Sequence, residues 1–468
     1  MKKNEFCEIE ITGMTAEGNG VGRAPDGMAV FVPHTAVGDV ISCKIVKTAK
    51  SCLYGIIDRI ITPSPYRVES GCPVSEKCGG CTFRHMTYEA ELAVKDKLVR
   101  DAFERIGGFK DIPFDEIKGG RTEGYRNKAQ YPVTERDGKA VCGFYSRRSH
   151  RVVPYTECGL QPRTFGEIAS FCLDEVNARG IPAYNEETGT GMLRHLYIRR
   201  GFHSGEIMLC FVVKDLSTKS VFTEVGKLAA KKFSEIKSVV MNVNPKNTNV
   251  IMGTKTVLLC GGRTIADIMC GNRIELSPES FYQVNTEQAE ALYRQAIEYA
   301  NPCGSEVLLD LYCGAGTIGL SFAGRVKKVI GCEIVPEAVE NARRNAEING
   351  IANAEFYCGD AGKLAEKLAD EKVRPDIAVI DPPRKGCGRL TLDSLVRMSP
   401  QKIVMISCDP ATAARDVKCL AEQGYKPVKA RAFDLFPRTG HVETVVLLSK
   451  LKSAVYNVNT SFVFSKTD

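Results

Sequence analysis

No run in this chain is long and apolar enough to cross a bilayer, and the opening Met1-Lys2-Lys3-Asn4-Glu5-Phe6-Cys7 leads into no apolar core of signal-peptide length. A soluble, cytoplasmic protein is expected. Internal repeats and low-complexity tracts are also lacking, which argues against a solenoid or a disordered array. Charge of one sign is in no strong excess: 63 Lys and Arg against 56 Asp and Glu leave a formal +7, modest for 468 residues. Composition therefore permits an acidic partner without demanding one. Because an export signal is missing, the 19 cysteines read as reduced thiols rather than as a disulfide framework, with a subset recruited for metal or catalysis. At this length two or three domains are expected, since single cores rarely keep growing so far.

What is present divides the chain into four stretches. Residues 1–61 alternate short apolar runs with Gly and charge, as in Glu8-Ile9-Glu10-Ile11 and Ala29-Val30-Phe31-Val32-Pro33, and predict the strands of a small β-barrel. Thr62-Pro63-Ser64-Pro65 marks the linker, because two prolines cannot sit in a central strand. Residues 62–270 form a mixed α+β central region with strands around Leu196–Arg199 and Glu206–Val213. Residues 271–450 alternate strand and helix patterns, the signature of a Rossmann-like parallel sheet with helices on both faces, and end in an antiparallel hairpin from Pro427–Phe436 and Val442–Leu448. The tail, 451–468, carries no usable periodicity.

Four points in the third stretch carry chemistry. The strand Val307–Leu311 runs into Tyr312-Cys313-Gly314-Ala315-Gly316-Thr317-Ile318-Gly319, which satisfies G-x-G-x-x-G, and Glu333 ends the next strand where a ribose-binding acid belongs. A nucleotide-like cofactor is implied. Asp310, Glu333, Asp360 and Asp381 gather at successive strand ends, and carboxylates suit the sulfonium of S-adenosylmethionine better than a pyrophosphate. Asp381-Pro382-Pro383-Arg384 forms a rigid lip at the sheet's carboxyl edge. Cys408 follows the buried strand Lys402–Ile406 and precedes a helix, a place where helix amides lower a thiol's pKa, although free Cys is commonly just a core residue. Glu443, in an apolar segment, reads equally as a buried base or a solvated edge residue.

Taken in order, Phe281-Tyr282-Gln283-Val284-Asn285, Asp310 to Thr317, Asp381-Pro382-Pro383-Arg384, Ser407-Cys408-Asp409-Pro410-Ala411-Thr412 and Phe436-Pro437-Arg438-Thr439-Gly440-His441-Val442-Glu443 resemble the RNA uracil-5-methyltransferases. The resemblance covers nearly the whole chain, since residues 1–61 look like the TRAM RNA-binding barrel of the ribosomal RNA branch. It implies Cys408 as nucleophile and Glu443 as general base. S-adenosylmethionine would be bound by Gln283, Tyr312, Glu333 and Asp381, with Asp360, Gly314 and Thr317 as further contacts; Thr317 stands where the family often has Asn. The reaction implied is C5 methylation of a uridine in 23S rRNA, with tRNA as the alternative substrate and a monomer as the expected state. An NAD-dependent dehydrogenase would explain only the glycine loop, and a noncatalytic RNA-binding protein only residues 1–151.

Two further features fit RNA work. Cys72, Cys78 and Cys81 cluster within ten residues, with Cys158 as a fourth candidate ligand. Four thiolates suit zinc or an iron-sulfur cluster equally by chemistry; C-x5-C-x2-C lacks the paired arms of common zinc ribbons, and the family resemblance implies [4Fe-4S]. Residues 121–151 interleave Arg121, Arg126, Lys128, Arg136, Lys139, Arg147, Arg148 and Arg151 with Tyr125, Tyr131, Phe144 and Tyr145. Cations would meet phosphate while rings stack on unpaired bases, against the alternative of a solvated strand face.

Overall fold

Alternation of buried and exposed residues shapes the first unit of the structure, a computed structural model that describes residues 1–451. The tail from 452 onward lies outside the described residues. Six strands between Phe6–Glu10 and Cys52–Thr62 form one sheet whose inward row includes Ile9, Val30, Val32, Ile41, Ile45 and Leu53. Gly55 belongs to that packing: a Cβ there would come 2.2 Å from Cys43 Sγ. Phe83, Met86 and Ala90 complete this core, so the segment after the cysteine loop is tied to the barrel by apolar contact.

The central region is a seven-stranded sheet in the order Val152–Pro154, Lys139–Tyr145, Lys128–Arg136, Leu193–Arg200, Ile207–Val213, Ile236–Val243, Lys255–Gly261. Leu193–Arg200 and Ile207–Val213, buried almost throughout, occupy its middle. Helices Arg163–Ala178 and Lys219–Lys232 contribute Ile168, Cys172, Val176, Phe222 and Val225 to the core on one side. On the other side Tyr197, Met208 and Val212 join Leu292 and Tyr293 of helix Thr286–Ala300, and that core continues into Leu308 and Val329. Central and C-terminal regions therefore share apolar packing.

The C-terminal sheet has eight strands in the order Ala354–Cys358, Lys328–Glu333, Val307–Leu311, Ile377–Ile380, Lys402–Ser407, Glu443–Lys450, Tyr425–Phe433, Phe114–Lys118. The first five are mutually parallel, and Glu443–Lys450 and Tyr425–Phe433 close the order as an antiparallel hairpin. Chain order runs outward from Val307–Leu311 on one side and resumes at Ile377–Ile380 on the other. The carboxyl ends of these strands thus meet at a topological switch point, where open α/β sheets bind ligands. One element joins from far away in sequence: Phe114–Lys118 pairs in parallel with Tyr425–Phe433, and Val99 and Phe103 of the preceding helical stretch share a core with Ala413, Ala414 and Val417. The linear division assigns Tyr88–Lys118 to the central region; in space it docks on the C-terminal sheet.

Candidate active site

The loop after Val307–Leu311 is the first wall of the site. Tyr312, Gly314 and Gly316 all take positive φ, 68°, 55° and 80°, so the chain turns sharply before helix Thr317–Phe322 begins. Gly319 lets that helix sit close to the sheet: its amide donates to Asp310 Oδ2 at 2.8 Å, and a Cβ would lie 2.9 Å from the same oxygen. Asp310 Oδ1 has no partner, and burial pushes this carboxyl up to about 8. It lies beneath the loop instead of facing the crevice with the other acids.

A cavity of about 940 Å³ opens above this turn, lined among others by Gln283, Tyr312, Gly314, Glu333, Asp360, Asp381, Cys408 and Glu443. Every candidate catalytic and cofactor residue except Thr317 is therefore brought together. Thr317 instead turns its hydroxyl toward Tyr293, 3.3 Å away, because it occupies the first position of a helix pointing into the core. The carboxylates are held in place. Glu333 accepts from the Gly314 and Val335 amides at 3.1 and 2.9 Å, and Asp360 caps helix Ala361–Asp370 through the Gly362 and Lys363 amides. Burial pushes Asp381 up to about 7. The Gln283 segment is positioned by Asn127, whose side chain donates to the Gln283 carbonyl at 2.8 Å and whose amide donates to the Val284 carbonyl at 2.8 Å. Exposed Phe281, Ile334 and Val335 give the acid-walled cavity an apolar rim. Acids around a methyl-donor-sized space fit a cationic sulfonium, and apolar side chains fit its adenine and methylene parts.

Cys408 and Glu443 meet through strand register. Ser407 pairs with Thr444 across the antiparallel strands, so the next positions, Cys408 and Glu443, face one another at the sheet's edge. Glu443 is buried, and burial together with Asp381 pushes its carboxyl up to about 8, opposed by Arg384. Cys408 is half-buried, and the expected lowering of its pKa is not found: burial, then the Glu443 and Asp381 carboxyls, push it up to about 11. The helix beyond cannot offset this freely, because Asp409 already accepts from the Thr412 amide at its N-terminus. Arg384 is the cation that opposes these shifts, and its guanidinium lies 3.2 Å from His441 Nε2. Arg384, His441, Phe281 and Phe436 line the same cavity but were not among the candidate site residues. Arg384 lies in the Asp381 motif and His441 beside Glu443, so proximity to those motifs was the signal available.

The segment delivering His441 and Glu443, Asp434–Gly440, is irregular and tightly fastened. Arg438 sits at φ 71°, a left-handed conformation that costs a residue with a Cβ about 1–2 kcal/mol. A Cβ at Gly440 would lie 1.8 Å from the Ala16 carbonyl of the N-terminal barrel, so only glycine permits that approach.

The four clustered cysteines also converge. Cys72, Cys78, Cys81 and Cys158 line one small cavity of about 90 Å³, together with Arg84, Arg126 and Tyr155. The loop is hooked to the Lys139–Tyr145 strand by the Gly79 amide, which donates to the Tyr145 carbonyl at 3.0 Å. Burial pushes Cys81 up to about 12, with the neighbouring thiols adding to it. Among the described residues no group of three or more His, Cys, Asp or Glu side chains is placed where it could hold a metal ion, so the geometry does not bear out the expected metal site.

The basic interleaved segment is corrected in part. Tyr125 and Tyr131 are buried, the former donating to the Pro437 carbonyl and the latter to Gln161, so neither presents a ring for stacking. Phe144 tilts against Tyr131 at 5.3 Å between centroids. Tyr131 and Phe144 turn inward from their strands and Tyr125 from the loop before them, while Arg121, Arg136, Lys139, Arg147, Arg148 and Arg151 remain exposed.

Residues 270–451 match the tRNA (uracil-5-)-methyltransferase family, and residues 2–57 match the TRAM domain. An uncharacterized RNA methyltransferase from Bacillus cereus is 42% identical over 456 residues, 97% of this chain and 98% of its own length. The chain belongs to the RNA uracil-5-methyltransferase family. Members are S-adenosylmethionine-dependent, in keeping with the acid-walled cavity. A second uncharacterized RNA methyltransferase, from Halalkalibacterium halodurans, is also 42% identical and covers 96% of this chain and 98% of its own. Among solved structures, the Pyrococcus abyssi tRNA (uracil-54, C5)-methyltransferase in complex with S-adenosyl-L-homocysteine superposes with a TM-score of 0.75 at 27% identity, covering 94% of this chain and 100% of its own. Among the described residues no helix is long and apolar enough to cross a membrane.

Proposed function

We propose that the protein methylates C5 of a uridine in 23S rRNA, with Cys408 as nucleophile and Glu443 as general base. The carrying observation is the register that sets these two side chains opposite one another at the wall of an acid-rich cavity. Uracil C5 is a poor nucleophile, so the Cys408 sulfur first adds to C6 and sends the ring electrons to the C4 oxygen as an enolate. S-adenosylmethionine supplies an electrophilic methyl on a cationic sulfur. C5 takes that methyl, Glu443 removes the C5 proton, and the electrons left behind expel the Cys408 thiolate from C6. Glu443 needs its carboxylate form for this, and both a bound sulfonium and Arg384 favour that form. Gln283, Tyr312, Gly314, Glu333, Asp360 and Asp381 hold the donor; Thr317, turned toward Tyr293, is left out of that set.

The choice of ribosomal RNA rests on the four-cysteine site, which by resemblance belongs to the ribosomal branch. By the same resemblance, Cys72, Cys78, Cys81 and Cys158, which line one small cavity, are the ligands we assign to a [4Fe-4S] centre. Transfer RNA is the second reading, favoured by the likeness to the Pyrococcus abyssi enzyme, which extends over the barrel as well. We take the working protein to be a cytoplasmic monomer. Nucleoside analysis decides the substrate: anaerobically purified protein and S-adenosylmethionine are incubated with unmethylated 23S and transfer RNAs, Cys408→Ala serving as control. 5-Methyluridine only in 23S RNA is expected, product only in transfer RNA overturns the substrate, and product from the Cys408→Ala protein overturns the mechanism.

A further inference from the structure

The segment carrying His441 and Glu443 is gripped from two sides at Arg438. On one side the Arg438 amide donates to Glu91 Oε1 at 2.6 Å, and its guanidinium lies 3.5 Å from Glu91 Oε2. Glu91 belongs to helix Tyr88–Ala102, and both it and Lys95 are fully buried. Lys95 Nζ donates to Glu91 and to Asp434 at 2.7 Å each, and to the Phe436 carbonyl at 3.2 Å. On the other side the Arg438 carbonyl accepts from the Thr82 and Phe83 amides, at 2.7 and 3.1 Å. Thr82 directly follows Cys81.

Such a network is costly to bury, since Glu91, Lys95 and Asp434 are all fully withdrawn from solvent. Its charges balance, with Glu91 and Asp434 against Lys95 and Arg438, and all of them converge on one irregular segment five residues before Glu443. Arg438 keeps a left-handed backbone there, which persists only when its surroundings over-determine it. We propose that Glu91 is a positioning residue for proton abstraction: through Arg438 it fixes the Phe436–Glu443 segment so that the Glu443 carboxyl meets the C5 proton, and the end of the cysteine loop braces the same carbonyl from the opposite side. Cys408 follows a different strand, Lys402–Ser407, and none of the network's hydrogen bonds or ion pairs reaches it. Loosening the network therefore slows elimination and leaves addition and methyl transfer intact, an inference that depends on Glu443 being the base.

The test separates those steps. Glu91→Gln is incubated with S-adenosylmethionine and in vitro 23S and transfer RNA transcripts carrying either uridine or 5-fluorouridine, and adducts are read on denaturing gels. Fluorine at C5 cannot leave as a proton does, so the second RNA reports addition and methyl transfer alone. The variant is expected to turn over about 10- to 100-fold more slowly, as displacements of about 1 Å can cause, to accumulate adduct on uridine RNA, and to trap 5-fluorouridine RNA at the wild-type rate. Turnover without adduct, or equal slowing on both RNAs, overturns the proposal. If Glu91→Gln does not fold, the charge-balanced Glu91→Gln/Arg438→Gln protein should show the same signature, and wild-type behaviour from it overturns the proposal equally. Glu443→Gln runs beside them: failure of that variant to trap uridine RNA removes the base assignment itself, whereas trapping by it and not by the Glu91 variants removes only the positioning role.

Discussion

Cys408 and the quartet Cys72, Cys78, Cys81 and Cys158 use the same side chain in two differently built surroundings. Cys408 stands at a sheet edge in a cavity of about 940 Å³ lined by the carboxyls of Glu333, Asp360, Asp381 and Glu443 beside Arg384 and His441, whereas the quartet surrounds about 90 Å³ with one another's thiols and with Arg84 and Arg126 as neighbours. Burial raises the pKa of Cys408, Cys78, Cys81 and Cys158 alike. What differs is the remedy each site favours. Acids around one sulfur favour a cationic donor that enters and leaves, and the four converging thiols are the set on which the proposed resident cluster rests. The lesson is that cysteine chemistry follows the neighbouring charges more than the helix behind the sulfur.

The sharpest way to break this contrast is Cys408→Ala, which should lower methylation by at least about 10³-fold and abolish RNA adducts without altering the visible absorbance expected of the proposed cluster. Comparable loss from both sites, with the same adduct pattern, would erase the distinction. Asp381→Asn is expected to weaken S-adenosylmethionine binding by about 10- to 100-fold, as lost charged contacts do, and to weaken S-adenosylhomocysteine less because that product lacks the positive sulfur. Calorimetric titration of both ligands reads the difference; equal losses would mean that Asp381 does not act through charge. Cys81→Ser should remove the absorbance that the proposed cluster gives anaerobically purified protein while lowering turnover less than Cys408→Ala, and unchanged or absent absorbance in both proteins would overturn the cluster assignment.

A smaller effect is expected from pH. Glu443 is held at about 8, above its ordinary 4.5, so the folded chain binds a proton where the unfolded chain has released it. Stability from this group is full below about 4.5 and is lost as pH rises toward 8, at most a few kcal/mol. Glu443→Gln should therefore gain over the wild type in thermal stability at pH 8 relative to pH 5. A gap that is constant between those values would place the carboxyl in solvent.

Much of this was readable before any coordinates. The alternation of Glu8-Ile9-Glu10-Ile11 announced a barrel strand, and the strand-turn-acid pattern from Val307 to Glu333 announced the cofactor crevice, because local periodicity reports which face is buried. The facing of Cys408 and Glu443 was suggested by motif resemblance, and the Ser407–Thr444 register supplies its physical form. Other features depended on contacts that no local pattern encodes. Phe114–Lys118 pairs with a strand some three hundred residues later, and Lys95 reaches Asp434 across a similar separation. Tyr125 and Tyr131 looked like stacking rings because their segment is basic, but Tyr131 turns inward from its strand and Tyr125 is drawn in by the distant Pro437 carbonyl. Thr317 followed the glycine loop in sequence and left the crevice with its helix.

The central claim is that Cys408 bonds to uridine C6 and Glu443 releases it. The most direct measurement is mass spectrometry of Glu443→Gln after incubation with S-adenosylmethionine and RNA, followed by nuclease and protease digestion. A peptide containing Cys408 joined to a methylated uridine nucleotide is the result predicted. Full 5-methyluridine production by that variant with no such peptide, or a nucleotide joined at another cysteine, would contradict the account.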